Sequence, residues 1–236
     1  VFQVSDVKRY PLGKYLRIGN KGFVYAKAGG ALIPDMGAKQ SHNQKFVRSN
    51  IAAAVPAGAT TITVTIDFAG HPERVDSPII LNELAGGQLL VFPAGNQAFI
   101  RTIVSNSALV AGGILTIVLD APVPCAVGLV WCGAIINPYD GVDQVSNEWT
   151  PVMGMPMIPA TAGQYLWLQV EGISWCSPEA AVGAAVNCLE VCFGGDGALK
   201  LRNVAIPAEQ RAGMVIAPNP DGDGVGSPFI MLNIDH

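Results

Sequence analysis

The sequence predicts an all-β protein in which short antiparallel strands form barrel or sandwich subdomains that follow an extended N-terminal arm. Glycine and proline, 27 and 17 of the 236 residues, interrupt the chain every few residues. Almost no stretch has the i, i+3, i+4, i+7 apolar spacing of an amphipathic helix. Residues 61–66, Thr-Ile-Thr-Val-Thr-Ile, alternate strictly, which places three apolar side chains on one face of a strand.

The other strands are predicted from similar runs between turn residues. Residues 88–92 and 98–104 flank Pro-Ala-Gly-Asn at 93–96, a sequence typical of a hairpin loop. A strand over 114–119 follows two glycines and ends before Pro122. Further apolar runs predict strands over residues 127–136, 165–173, 186–193, 198–204, 212–217 and 228–234.

Other local patterns predict short helices and turns. Residues 79–85 follow Ser-Pro and end at Gly-Gly, which predicts one or two helical turns. A second short helix is a candidate over 178–185, although Gly183 interrupts it. The glycine-rich residues 194–197 and 221–224 predict turns, because the Asp-Gly-Asp-Gly of the latter lacks the further ligands of a calcium loop.

Composition divides the chain into three parts. Residues 1–49 form a basic part that contains the arm and the first strands. Residues 50–136 form a β-subdomain of glycine-bounded strands, and residues 137–236 form a second, proline-rich β-subdomain. The basic part is the predicted docking region.

Charge is distributed unevenly along the chain. The first 50 residues carry nine Lys or Arg and two acids, whereas the other 186 carry five basic and sixteen acidic residues. Between Arg101 and Lys200 there are eight acids and no basic residue. This separation favours contact with a partner through one face, and such a span is typical of a subunit covered by neighbours in an assembly.

No pattern points to catalysis, a cofactor, a metal or a membrane span. The three His are scattered, and neither a GxSxG motif nor a phosphate-binding loop is present. The five Cys, at 125, 132, 176, 188 and 192, have no CxxC spacing, which leaves a zinc site unsupported. Reduced thiols made in a cytoplasm are expected, with 188 and 192 buried in an apolar stretch, and disulfides between subunits of an assembly are the alternative. No run reaches the ~18 to 20 apolar residues of a membrane span. The sequence therefore predicts a protein that is not an enzyme.

The basic part shares one property with nucleic-acid-binding segments, since its cations are interleaved with aromatic residues. Those cations are spread along the segment, however, and the rings lie in strand-like runs typical of a core. The pI of the chain is near 5.3. These properties favour docking on an acidic protein surface over binding of DNA or RNA.

Several short motifs occur in a fixed order over residues 10–175. They begin with Tyr-Pro-Leu-Gly at 10–13 and Gly-Phe-Val-Tyr-Ala-Lys-Ala-Gly-Gly-Ala-Leu at 22–32, and they continue at 57–65, 85–91, 113–117, 136–142, 154–156 and 165–172. In this order they resemble a family of small structural virion proteins of tailed bacteriophages. The run Asn-Lys-Gly-Phe-Val-Tyr at 20–25 departs from the family's more basic Gly-Arg-Lys-Phe-Arg-Tyr, and no motif matches after Ser174.

The resemblance implies a head decoration, or cement, protein. Such a β-rich subunit binds the outer surface of the major capsid protein, stabilises the capsid and is often a homotrimer. It is assembled in the host cytoplasm and ends on the capsid exterior of the virion. The candidate capsid contacts are the cations and rings of the arm, Phe2, Lys8, Arg9, Tyr10, Lys14, Tyr15 and Arg17.

Two other functions are open alternatives. One is a receptor- or glycan-binding β-module of a phage tail or fibre, for which Trp149, Trp167 and Trp175 are the candidate platform. Tryptophans of this kind also fill cores. The other is a glycan hydrolase, which needs two acids that converge in space.

Overall fold

The computed structural model describes residues 1–34, 36–40, 49–66, 78–95, 98–144, 150–179, 182, 189–202, 209–217 and 229–234. These residues form sixteen β-strands and no helix, which confirms the all-β prediction. In chain order the strands are β1 (Tyr15–Ile18), β2 (Lys21–Ala28), β3 (Ala38–Lys39), β4 (Ser49–Ile51), β5 (Thr61–Ile66), β6 (Gln88–Val91), β7 (Phe99–Asn106), β8 (Gly113–Leu119), β9 (Trp131–Ile135), β10 (Asp140–Val142), β11 (Val152–Pro156), β12 (Tyr165–Trp175), β13 (Glu190–Phe193), β14 (Leu199–Leu201), β15 (Arg211–Ala217) and β16 (Phe229–Asn233).

The chain folds into two compact units. Unit 1 comprises Val1–Ser41 and Pro138–His236, and unit 2 comprises His42–Asn137. The basic N-terminal strands therefore belong to the same unit as the C-terminal strands, because β2 pairs with β12 along most of its length. Composition suggested three consecutive parts, whereas in the structure unit 2 is inserted between the two segments of unit 1.

Unit 2 is a closed antiparallel barrel with the strand order β4-β5-β8-β7-β6-β9. The alternation predicted for β5 is present, since Ile62, Val64 and Ile66 are buried and the threonines face outward. Equivalent inward positions on the other strands supply the rest of the core, including Ile51, Leu89, Val91, Ile103, Leu115, Ile117, Cys132 and Ala134. Closure leaves no unpaired sheet edge in this barrel.

The helix predicted over 79–85 is wrong, because this segment is a series of turns. In a helix the N–H of Leu84 would donate to the carbonyl of Ile80. Instead the side-chain amide of Asn106 lies between these two groups. The Leu84 N–H donates to Asn106 Oδ1 (2.8 Å), and Asn106 Nδ2 donates to the Ile80 carbonyl (3.0 Å). Asn82 has a left-handed φ of 61°, which also interrupts a helix.

Unit 1 is a ten-stranded sheet with the main order β1-β2-β12-β16-β15-β13-β14. Strand β10 pairs with β2 in parallel, and β11 pairs with β12 and β3. The inner face of the main path packs into a core that includes Val24, Met155, Val170, Val191, Phe193, Leu199, Val215, Ile230 and Leu232. The opposite, outer face of the same path carries the surfaces described below.

Most predicted strands and turns have a counterpart in the structure. The hairpin predicted around residues 93–96 is formed by β6 and β7, and the turn predicted over 194–197 joins β13 to β14. The short strands β1, β3, β4, β10 and β11 were not predicted. The helix candidate over 178–185 lies largely outside the described residues, and the turn over 221–224 lies entirely outside them.

Two carboxyl groups of unit 1 have pKa values shifted in opposite directions. Arg202 donates to Glu190 (2.6 Å), and this hydrogen bond, with the nearby charge of Arg211, lowers the pKa of Glu190 below its ordinary 4.5. Burial, together with the adjacent Asp196, raises the pKa of Glu179 above the same value.

These shifts predict opposite effects of pH on stability. Because the folded-state pKa of Glu190 is lowered, Glu190 stabilises the fold above about pH 4.5, and that stability is lost as the pH falls below this value. Glu190→Gln should therefore lower the free energy of unfolding above about pH 4.5 and have little effect at lower pH. A raised pKa stabilises the fold below about pH 4.5 and that stability is lost as the pH rises, so Glu179→Gln should be more stable than wild type near neutrality. Urea unfolding at a series of pH values measures both, and parallel pH profiles for the two variants would contradict the assignment.

Candidate binding surface of the N-terminal segment

The N-terminal segment, residues 1–14, lies on the outer face of the unit 1 sheet. It forms no strand of its own but makes an isolated bridge, in which the N–H of Ser5 donates to the carbonyl of Tyr165 (2.9 Å) and the N–H of Tyr165 donates back (2.8 Å). At its end the N–H of Gly13 donates to the carbonyl of Tyr25, and the N–H of Tyr25 donates to the carbonyl of Lys14. These bonds fix the segment to β2 and β12.

Aromatic rings hold the segment in place. Tyr10 packs edge-on against Tyr25 with ring centroids 5.3 Å apart, and it lies 5.4 Å from the ring of Trp167. Tyr25 stacks on Tyr165 at 5.9 Å. The phenol oxygen of Tyr25 also accepts a hydrogen bond from the backbone N–H of Arg9 (3.1 Å). The buried cluster is thus made of Phe23, Tyr25 and Trp167, and the segment covers it.

A second set of contacts fixes the exposed side chains of β1. The hydroxyl of Tyr15 donates to one carboxylate oxygen of Glu171 (2.8 Å), and the guanidinium of Arg17 donates to the other (3.1 Å). The hydrogen bond to Glu171 raises the pKa of Tyr15, so its phenol stays a donor across the neutral range. On the segment itself, the Lys14 ammonium lies 4.6 Å from the centre of the Tyr10 ring.

All seven residues predicted as contacts are exposed, and five of them are held by contacts with one another or with residues of β2 and β12. Tyr10 and Lys14 contact each other, Tyr15 and Arg17 share Glu171, and Arg9 is anchored on Tyr25. Phe2 and Lys8 are exposed as well, but no hydrogen bond, ion pair or ring contact among the described residues joins either of them to the other five.

The charge of the basic part is concentrated at this surface. Residues 1–28 contain six basic residues and one acid. Two of the six form ion pairs with described acids of unit 1, Arg17 with Glu171 at 3.1 Å and Lys27 with Asp140 at 3.2 Å. Lys39 is buried, with its ammonium donating to the carbonyl of Gly195. Lys45 and Arg48 lie outside the described residues.

The sequence missed the contribution of β12. Trp167 supplies the ring beneath Tyr10, and Glu171 holds both Tyr15 and Arg17, yet neither was predicted to belong to this surface. Alternation along Tyr165–Trp175 could have indicated that Trp167 and Glu171 share a face. The sequence does not indicate that β12 lies beside β2, because that pairing joins residues more than a hundred positions apart.

The predicted alternative sites are placed as follows. Trp167 is 7% exposed and belongs to the buried cluster, Trp175 is partly buried, and Trp149 lies outside the described residues. Cys192 is free and buried as predicted, whereas Cys188 lies outside the described residues.

The part of the chain that the structure describes holds no group of three or more His, Cys, Asp or Glu arranged to bind a metal ion. Within the same residues, no helix has the length and hydropathy needed to cross a membrane. Comparisons of the chain with protein-family models, with curated proteins and with solved structures gave no match.

Proposed function

We propose that this protein is a structural virion protein that decorates and stabilises a phage capsid by binding the outer surface of the major capsid protein. The observation that carries the proposal is the N-terminal surface, where exposed cations and half-exposed tyrosine rings are fixed on a rigid sheet. The ordered phage-like motifs of residues 10–175 supply the class of partner.

The surface is suited to binding rather than to reacting. Lys8, Arg9, Lys14 and Arg17 give it a positive field that attracts an acidic protein face and sets its orientation. Tyr10 and Tyr15, 40% and 47% exposed, can then bury apolar area with little loss of side-chain freedom, because their rings are already held.

Repetition on a capsid would strengthen a contact of this size. Many copies of the same acceptor surface are presented at fixed spacing, so modest single contacts give high occupancy once subunits are linked. A decoration subunit on this scheme needs a rigid body and a complementary face, and no catalytic residues.

Point substitutions test this better than truncation, because the N-terminal segment covers the buried aromatic cluster. We expect the double variant Lys8→Gln, Lys14→Gln to bind undecorated capsids about tenfold more weakly than wild type and with less dependence on salt. Co-sedimentation with purified capsids at two salt concentrations measures both effects.

A matched control changes the net charge equally at another surface. Asn50→Glu with Thr61→Glu also lowers the charge by two, but on exposed positions of the barrel, and it should leave occupancy unchanged. Equal occupancy of the Lys8→Gln, Lys14→Gln variant and wild type would reject this surface as the docking site. Failure of wild type itself to sediment with capsids would reject decoration.

The runner-up function, a receptor- or glycan-binding module of a phage tail or fibre, is favoured by one observation. Trp131, on the barrel, is 48% exposed, and an exposed indole is a common platform for a sugar ring. Specific binding of the purified chain on a glycan array, together with no binding to capsids, would support this function over decoration.

A further inference from the structure

The outer face of the unit 1 sheet has two different halves. On β2 and the first part of β12, the chain's own N-terminal segment covers Phe23, Tyr25 and Trp167. The second half, which we call the bare half, is formed by the end of β12 with β16 and β15. It presents five large apolar side chains that are 37% to 50% exposed, Ile173, Met214, Ile216, Phe229 and Met231.

The strand register makes these side chains one continuous patch. Ile173 on β12 lies directly opposite Met231 on β16, and Met231 lies directly opposite Met214 on β15. Two residues further along these strands, on the same face, Trp175 lies opposite Phe229. Side chains at directly opposite positions of neighbouring strands are in contact range, so the apolar surface is unbroken across three strands.

The sequences of β15 and β16 are typical of strands covered on both faces. An antiparallel sheet with one wet face alternates apolar and polar residues, as β5 does with its outward threonines. Strand β16 reads Phe-Ile-Met-Leu-Asn and buries Ile230 and Leu232 inward, yet its outward Phe229 and Met231 are also apolar. Among the residues that the structure describes, no second layer covers the bare half.

The edges of the bare half carry charges of both signs. On the β12 side Arg17 is paired with Glu171 at 3.1 Å. On the β13 side Glu190 is paired with both Arg202 (2.6 Å) and Arg211 (3.1 Å), which leaves that edge with one excess positive charge. An apolar centre with a charged rim is the usual composition of a protein–protein interface, and methionine is enriched in such centres.

We propose that the bare half is a homodimer interface, in which the same half of a second copy supplies the missing layer about a two-fold axis along β16. With this axis, β12 of one copy packs on β15 of the other, so Ile173 of one copy lies against Met214 of the other. The neutral β12 edge then faces the positive β13 edge. A two-fold axis perpendicular to the strands would instead place the positive β13 edge of one copy against the positive β13 edge of the other, which is unfavourable.

The size of the patch fits this partner. Five side chains at roughly half exposure offer about 400 Å² per copy, and two copies with their rims reach about 1,000 Å², the size of a weak, reversible interface. Two sheets packed face to face in this way form a sandwich, a common solution for sheets with apolar faces. The inference does not depend on capsid binding.

Analytical ultracentrifugation of the full chain tests the proposal. Wild type should sediment as a dimer at about 50 µM and dissociate on dilution. Met231→Glu and Met214→Glu each place a charge in the apolar centre and should weaken association at least about tenfold. Thr61→Glu, on the exterior of the barrel, is the matched control and should remain dimeric.

Each outcome has a defined meaning. A monomeric wild type, a trimer of the kind the phage resemblance implies, or dimeric Met231→Glu and Met214→Glu variants would overturn the proposal. If a glutamate variant does not fold by circular dichroism, Met231→Ser and Met214→Ser repeat the test without charge. The variant Lys8→Gln, Lys14→Gln should stay dimeric, which separates this interface from the capsid-docking surface.

Discussion

Gly213→Ala is expected to destabilise unit 1 by at least about 3 kcal/mol or to prevent its folding. Gly213 lies in β15 with φ of 151°, a conformation that residues with a side chain rarely adopt. A methyl group there would stand 2.0 Å from the carbonyl oxygen of Met231 and 2.9 Å from its carbonyl carbon. Since both are backbone atoms of the paired strand β16, the clash is relieved only by breaking the β15–β16 ladder.

A matched glycine separates the clash from the backbone strain. Gly163, also in unit 1, has φ of 86°, but an added methyl would meet nothing within 4 Å. Gly163→Ala should therefore cost only the strain, about 1–2 kcal/mol. Urea unfolding followed by circular dichroism gives both values. Equal losses for the two variants would show that β16 moves away at little cost, contrary to this expectation.

Asn106→Ala should cost the barrel about 3 kcal/mol. Asn106 is 2% exposed, and its amide makes three hydrogen bonds to backbone, accepting from Leu84 N–H and donating to the carbonyls of Ile80 and Ser107. Alanine removes these partners. The Ile80 carbonyl still accepts from the Glu83 N–H (3.3 Å), but the buried Leu84 N–H loses its acceptor, and a buried backbone group without a partner costs about 1–3 kcal/mol before relaxation.

The effect has a local signature. Amide hydrogen exchange should become faster at Leu84, because its N–H donates to the side chain of Asn106. The N–H groups of Asn82 and Gly86 donate to backbone carbonyls of β7, at Asn106 (3.1 Å) and Ile103 (2.7 Å), so exchange at these two positions should change less. Asn50→Ala, at an exposed position of the same barrel, is the control and should change neither stability nor exchange appreciably. Unchanged protection at Leu84 in Asn106→Ala would mean that another group holds the turns.

The all-β fold and most strand positions could be predicted because they are encoded locally. The alternation of β5 and the glycine-bounded runs of β6 to β8 fix both strand and face within a few residues. The helix predicted over 79–85 failed for a related reason. Its start and stop signals are local, but the group that replaces its hydrogen bond is Asn106, more than twenty positions away.

The candidate surface could be predicted only in part. The charge distribution indicated the cations of the first 17 residues, and the aromatic residues interleaved with them indicated the rings. The structure places all seven candidates at the surface. Their support, Trp167 and Glu171, depends on the β2–β12 register. The bare half was not predicted, since Met214 and Met231 become neighbours only when β15 pairs with β16.

The pairing of β2 with β12 sets an order of events during synthesis. Tyr25 pairs with Trp167, 142 positions later (167 − 25 = 142), and at roughly 5–20 residues per second the ribosome needs about 7 to 30 s to supply that partner. The contiguous barrel, His42–Asn137, has all its strands before then. The residues that leave the ribosome first are therefore among the last to be ordered, and until β12 emerges Phe23 and Tyr25 are open to chaperones and to neighbouring nascent chains.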